Sequence, residues 1–459
     1  MTMGRKSTQR ERLLRGLITS ANRHGYAGAN VSAVIAEAGV SRPTFYHYFS
    51  DRDDCFLTAV SDVEELLLSE VRSNVRKARP EHALDSAVSG LVRFASSEPE
   101  MARFLTSEPM AGGPLARDAR DRGIAALERI VEERYEDLDP ATAVADFSHR
   151  MLIGGTYRVL ASRLRRGEPN LSRLLADLHG WIEPYGQPIG RHRWRALEEG
   201  SSLPPSPFLP PSPLEAPEAL SPRRTGMPEE EVAENQRQRI MFAAAQLAEE
   251  KGYNATTIGD ITKSAQVDGR VFYGMFADKQ EALMAVHEMG FQRVMEVTAG
   301  AFFAGSTWPE RNWEAGRAFT QFLESNPLIA NVGFVEASAV GPGALQRVED
   351  SQSAFSMLLA EGYQYVGENA GPSRLALEAI IATIFETVYH RARASGPLRL
   401  SGLVPHFSFL VLSPFLGAQE ANAFIAQKLE AMGRGQAEEQ ASSAAAGRMS
   451  SRGARSGPH

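Results

Sequence analysis

Ser41, Arg42, Pro43, Thr44, Phe45, Tyr46, His47, Tyr48 and Phe49 form a run rich in donors and rings. Phe45 and Phe49 stand four apart, so a helix here puts both on one face, to be buried. Arg42, Thr44, Tyr46, His47 and Tyr48 then point outward, offering a guanidinium, hydroxyls and an imidazole. That set suits the major groove of double-stranded DNA, where donors meet phosphate oxygens and short polar side chains reach base edges. Upstream, Arg5, Lys6, Arg10, Arg12 and Arg15 are cations able to displace phosphate counterions. The bland reading of the same run is a solvated helix face.

The elements needed to hold that run are written before it. Leu13, Leu14, Leu17, Ile18 and Ala21 make an amphipathic stripe that stops at Gly25. Val31, Val34 and Ile35 make a second, short helix, and Gly39 suits the tight turn after it. Val40 plugs the core between two helices, Ser41 caps the third, and Pro43 is tolerated just inside its start. Helical spacing continues to the end of the chain without convincing strand alternation, so the expected fold class is all-α.

The pattern occurs twice. Residues 9–60 align on 236–287 at a constant offset of 227 with twelve identities, among them Gly25-Tyr26 on Gly252-Tyr253 and Phe45-Tyr46 on Phe272-Tyr273. Downstream, Glu98-Pro99 matches Asn326-Pro327 and Tyr157 matches Tyr389. The chain of 459 residues therefore divides into head one (1–54), body one (55–187), a linker (188–230), head two (231–281), body two (282–432) and a tail (433–459). Proline and serine crowd residues 201–228, and proline blocks helix continuation, so this stretch is a tether. The tail lacks apolar periodicity and is expected to be disordered.

Here the sequence resembles the TetR family of transcriptional regulators, on Ala38-Gly39-Val40-Ser41 and above all on Thr44-Phe45-Tyr46-His47-Tyr48-Phe49 before Asp51-Arg52. The resemblance implies three-helix DNA-binding heads, helical effector-binding bodies, and dimerisation through the last two helices of each body. Arg42, Thr44 and Tyr46 would face bases and nearby phosphates, while Ser32, His47, Tyr48 and Arg52 would grip phosphates. Head two departs from the pattern: Gln266 replaces the turn glycine, Val271 replaces Thr44, Gly274 replaces His47 and Met275 replaces Tyr48. It keeps Tyr273, Arg270 adds a charge and Thr257 opens its first motif helix with a hydroxyl, with Lys279 where the family places a phosphate-contacting lysine. Glu229, Glu230, Glu231 and Glu234 also precede it. Head one is thus the expected reader, and head two a degenerate copy.

In the bodies, 141–165 with 171–183 and 373–394 with 403–430 are the expected interface helices. They would pair either within one chain as a pseudo-dimer or between two chains as a homodimer. Met101, Phe104, Arg150 and Tyr157, with Phe334, Phe385, Glu386 and Tyr389, are candidates for lining an effector cavity, the alternative being ordinary packing. The phosphate-cradling, nucleophile-elbow and zinc-protease signatures are absent, so no catalytic residue, metal or cofactor is expected. A single cysteine excludes an internal disulfide, and a net charge of −7 argues against a uniformly basic coat. No signal peptide or membrane span is evident, so a cytoplasmic protein is expected. The expected partners are an operator in double-stranded DNA and a small-molecule effector; the rival reading is a ligand-binding or protein-interaction module whose heads no longer read DNA.

Overall fold

Apolar residues spaced at one helical turn need a partner surface, and helix on helix supplies it throughout. The computed structural model describes residues 8–135, 149–168, 171–186, 203–220, 228–366 and 371–432, and contains no strand among them. Head one comprises α1 (Gln9–Gly28), α2 (Val31–Ala38) and α3 (Arg42–Tyr48), and body one follows as α4 (Arg52–Lys77), α5 (Ala83–Ser97), α6 (Pro99–Ala111), α7 (Pro114–Tyr135), α8 (His149–Arg165) and α9 (Leu171–Ile182). Head two repeats the plan with α10 (Glu229–Lys251), α11 (Ile258–Ala265) and α12 (Gly269–Met275). Body two is α13 (Lys279–Ala304), α14 (Trp308–Ser325), α15 (Pro327–Asn331), α16 (Pro342–Ala360), α17 (Leu375–Arg393) and α18 (Val404–Leu416), with 418–432 also helical.

The two copies meet along α8 and α17. The approach is close because Gly154 and Gly155 lack side chains: a Cβ on Gly155 would lie 1.9 Å from Thr383 Oγ1. Around this crossing lies a buried ion cluster in which Arg120 Nη1 stands 2.8 Å from Glu386 Oε1 and Arg158 Nε 2.7 Å from Glu386 Oε2. Burial alone would raise the Glu386 pKa, but Arg120 and Arg158 more than reverse it, to about 2. Nearby, Tyr185 Oη donates to the Leu410 carbonyl at 2.8 Å and Arg393 Nε sits 2.8 Å from Asp121 Oδ2.

Three expectations are corrected. The predicted continuous helix over 403–430 breaks at Gly417, whose φ of 86° leaves the helical region. Part of the predicted tether is not loose: residues 203–220 lie along body two. Gln321 Nε2 donates to the Leu203 and Pro204 carbonyls (3.1 and 2.9 Å), and the Ser206 N–H returns a bond to Gln321 Oε1 (2.8 Å). The Leu214 N–H donates to Asn326 Oδ1 at 2.7 Å, and Leu203, Leu209 and Leu214 pack against the core. Proline has no N–H, so a proline-rich segment bares its carbonyls; the Gln321 amide on α14 satisfies two of them, while Asn326 just past its end accepts one of the segment's few N–H groups. Helix α10 begins at Glu229, inside the segment assigned to the linker. The tail (433–459) and residues 141–148 of the first predicted interface helix lie outside the described residues.

Candidate nucleic-acid interface

Each head is fixed by caps before any side chain meets a partner. In head one, Asn30 accepts from the Ala33 N–H to start α2, and Gly39 ends it with φ 60°. Ser41 Oγ then accepts from the Thr44 N–H and starts α3, with Pro43 in the first turn. Arg12 Nη2 braces the turn by donating to the Gly39 carbonyl at 3.3 Å. Phe45 and Phe49 are buried, anchoring α3 with on the order of 2 kcal/mol each.

What remains outward matches the sequence expectation in part. Arg42 and His47 are exposed, and Tyr46 and Tyr48 are 51% and 38% exposed. Ser32 is exposed on α2, while the Thr44 hydroxyl shares a 2.8 Å hydrogen bond with Ser41 Oγ. Arg52 is drawn inward: Nη2 donates to Tyr26 Oη at 2.7 Å, and its guanidinium lies 4.1 Å from the Tyr26 ring centre. Arg5 and Lys6 lie outside the described residues.

Head two keeps the frame and loses the donors. Gln266 takes the position of Gly39 with φ 51°, the one positive φ on a non-glycine residue among those described. Asp268 caps α12 in place of Ser41, and Arg239, in the place of Arg12, donates to the Gln266 carbonyl at 3.0 Å. Tyr273 is 62% exposed and Arg270 is exposed beside it, but Gly274 and Met275 follow. The Thr257 hydroxyl caps α11 and donates to Asp260 Oδ2 at 2.6 Å. Lys279 donates to the carbonyls of Tyr253, Asn254 and Thr256 at 2.9, 3.3 and 2.7 Å, which uses all three ammonium protons. Burial pushes its pKa down. Arg52 and Lys279 thus do the same work at matched positions, tying the start of a long body helix to the turn that ends the first head helix. Sequence reasoning missed this brace, although Tyr26 and Tyr253, the rings beneath the cations, repeat at matched positions.

The candidate ligand residues scatter. Phe385 lines an apolar cavity of about 70 Å³ in body two with Phe302, Phe319, Phe355 and Phe407, and Phe334 packs on Phe385 at 4.7 Å between ring centres. Tyr157, whose Oη donates to the Leu105 carbonyl at 2.8 Å, borders a wider cleft of about 380 Å³ between the copies. Arg150 reaches His390 Nδ1 at 3.1 Å, and Tyr389 lies beneath Arg120 with 5.0 Å to the ring centre. With Glu386 these residues belong to the seam between the copies rather than to one cavity. Phe104 is core, and Met101 packs against it. Among the described residues there is no group of three metal-ligating side chains, and no helix long and apolar enough to cross a membrane.

Comparison with known proteins bears on the heads. A sequence model described as bacterial regulatory proteins, tetR family, matches residues 13–59 and again 240–286. A relative from Bacillus subtilis (strain 168), the uncharacterized HTH-type transcriptional regulator YvkB, is 28% identical over 153 residues, covering 33% of this chain and 77% of its own. Among solved structures, a tetR-family regulatory protein from Rhodococcus RHA1 is 20% identical with a TM-score of 0.33, over 40% of this chain and 98% of its own. The regulator FadR from Bacillus subtilis, solved with stearoyl-CoA, is 14% identical with a TM-score of 0.34, over 39% and 98%.

Proposed function

We propose that the chain is a DNA-binding transcriptional regulator built from two TetR-like units in tandem, and that head one does most of the reading. The observation carrying this is the contrast between α3, with Arg42, Tyr46, His47 and Tyr48 exposed on a capped and braced helix, and α12, where Gly274 and Met275 stand in place of His47 and Tyr48. Tyr46, Thr44 and Arg42 face base edges and neighbouring phosphates. Ser32, His47, Tyr48 and the exposed side of Arg52 contact the backbone, together with Arg5 and Lys6. In head two Tyr273, Arg270 and Thr257 supply a weaker grip, with Lys279 as a brace, and the acidic first turn of α10 repels phosphates.

The two copies act as an intramolecular pseudo-dimer. Gly154 and Glu386, each three residues before the matched tyrosines Tyr157 and Tyr389, touch across the seam, where a Cβ on Gly154 would lie 2.7 Å from Glu386 Cγ. Pairing like with like would set two Glu386 carboxylates together, or leave Arg120 buried without its acid. An apolar effector opens the cavity beside Phe385 in body two, and the regulator acts as a repressor in the cytoplasm.

The test is an anisotropy titration on DNA taken from a nuclease footprint beside the protein's own gene. Tyr46→Ala should lose most of the affinity and Tyr273→Ala little. Equal losses would overturn the assignment of head one as reader, and no protection at low salt would overturn DNA reading by this chain.

A further inference from the structure

The linker that enters body two carries one short phrase twice. Leu203-Pro204-Pro205-Ser206-Pro207 recurs as Leu209-Pro210-Pro211-Ser212-Pro213, with Leu214 after it. The backbone of the first phrase is read by one side chain of α14. Gln321, 8% exposed, donates through Nε2 to the Leu203 and Pro204 carbonyls at 3.1 and 2.9 Å, and its Oε1 accepts from the Ser206 N–H at 2.8 Å. A carboxamide carries two donor protons and an acceptor oxygen, so it matches a segment that bares two carbonyls and then offers one N–H. Asn326, 3% exposed, closes the far end: its Oδ1 accepts from the Leu214 N–H at 2.7 Å, while its Nδ2 donates to the Phe322 carbonyl at 2.8 Å. Between these two amides Phe208 rests on Gly300 of α13, where a Cβ would lie 3.4 Å from its Cδ1, and Leu203, Leu209 and Leu214 pack against the core.

Body one has no such seat. Counted from the match of Glu98-Pro99 on Asn326-Pro327, Gln321 falls on Arg93 and Asn326 on Glu98. A guanidinium only donates and a carboxylate only accepts, so neither can serve two carbonyls and an N–H together as Gln321 does. Arg93 turns instead to Glu70, 3.7 Å away. Burying an amide is unfavourable unless its hydrogen bonds are made, and among the described residues every one that Gln321 makes goes to the segment. Polar groups completed only by an occupant mark a recognition site rather than plain packing. Proline presets φ near −65°, so a phrase of this composition surrenders little freedom on seating. The segment then reaches head two, where Asn235 Nδ2 on α10 donates to the Glu218 carbonyl at 3.0 Å.

We propose that the α13–α14 face of body two is a recognition site for an extended proline-rich peptide of the form Leu-Pro-Pro-Ser-Pro, that residues 203–214 occupy it in cis, and that the seated segment locks the start of head two against body two. Gln321 determines specificity and Asn326 fixes the far end. One N–H sets the register: Ser206 is buried and read by Gln321, whereas Ser212, at the same place in the second phrase, is exposed. Tethered in cis, the segment competes with any free peptide at an effective concentration of roughly millimolar, so the site is filled in the resting chain.

The experiment has two arms. The first is amide hydrogen exchange on the full chain, wild type against Gln321→Met, which keeps the side chain's length and packing but removes its hydrogen bonds. Protection at Ser206 should fall by about tenfold, and protection in the first turns of α10 by several-fold. Unchanged protection at Ser206 would overturn the site, and a loss there that leaves α10 untouched would overturn the lock on head two. Protection at Ser206 that grows with protein concentration would overturn occupancy in cis in favour of a second copy's segment. The second arm replaces residues 203–214 by a glycine–serine stretch of equal length and titrates that chain with a fluorescent peptide of residues 201–216, read by anisotropy. The replaced chain should bind the peptide, and the wild type, its site filled, at least tenfold more weakly. A peptide carrying Ser206→Pro loses the N–H that Gln321 accepts and should bind about tenfold more weakly, whereas Ser212→Pro should bind as the parent does. Equal binding of those two peptides would overturn the register and with it the site. A replaced chain that fails to fold leaves the Gln321→Met comparison to decide.

Discussion

Copy one and copy two are built from the same helices in the same order, yet few of their charged residues match. Copy one contributes the fully buried arginines, Arg117 and Arg120, and copy two their acids, Glu336 and Glu386, while the part-buried Arg393–Asp121 pair runs the other way. Copy one keeps the donors of α3, whereas α12 has lost them. The difference teaches how a duplicated unit can divide its labour. A symmetric dimer needs each surface to complement itself, but once both halves share a chain, one can specialise in cations and the other in anions. Burying a charge is unfavourable unless its partner arrives with it, so such a seam commits each half to the other.

The sharpest way to break the comparison is to remove one member of that seam. Glu386→Ala leaves Arg120 buried without its carboxylate and should destabilise the chain by about 3–5 kcal/mol, measured by urea unfolding. Because the Glu386 pKa is held down to about 2, from a reference of 4.5, its contribution is complete at neutral pH and is lost as pH falls from about 4.5 towards 2. Glu108, on α6, runs the other way: burial raises its pKa to about 7, so it favours the folded chain at low pH and withdraws that support as pH rises towards 7. Two acids in one fold with opposite pH signs should therefore appear as separate limbs of a stability–pH curve, and a curve with the same acid limb in Glu386→Ala as in wild type would contradict the seam.

Next in size is the contrast between the recognition helices. Tyr46→Ala removes an exposed ring and hydroxyl from the reading face and should weaken operator binding by roughly 2 kcal/mol, about thirtyfold. Tyr273→Ala, on a helix already lacking two neighbouring donors, should change it less than about threefold. Restoring Gly274→His with Met275→Tyr should sharpen the comparison further by strengthening head two. Anisotropy on a two-half-site operator reads all three, and unaltered binding in the restored variant would mean that these donors are not what head two lacks.

Much of this was legible in the sequence because it depends on short-range chemistry. The capping residue Ser41, the buried Phe45 and Phe49, and the pairing of Gly39 with Gln266 follow from spacing alone. The seam was not legible, because Arg117 and Arg120 lie three apart on a helix that also reads as solvated, and their acids are 219 and 266 residues away. Glu386 and Tyr389, polar residues on an apolar helix, therefore read as cavity lining. Proline density argues against helix, and residues 203–220 are not helical, but it could not reveal that Gln321 and Asn326 would hold that segment in place.

The smallest expected effect tests whether head two's turn keeps a trace of its ancestry. Gly39 at φ 60° and Gln266 at φ 51° end α2 and α11 in the same left-handed conformation, which disfavours a Cβ. Head two retains that bend because Val267 packs against the core and the Gln266 carbonyl accepts from Arg239, so the geometry is imposed by neighbours rather than chosen by glutamine. Gln266→Gly should relieve the strain and stabilise the chain by about 1 kcal/mol, while Gly39→Gln should cost a similar amount in head one. Both are readable as shifts in urea midpoint. Because the turn sets the angle between α11 and α12, the glycine variant should leave operator affinity within about twofold unless head two contributes more than Tyr273→Ala reveals. A stability gain with a large change in affinity would show that head two's weakness lies in its turn rather than in its missing donors.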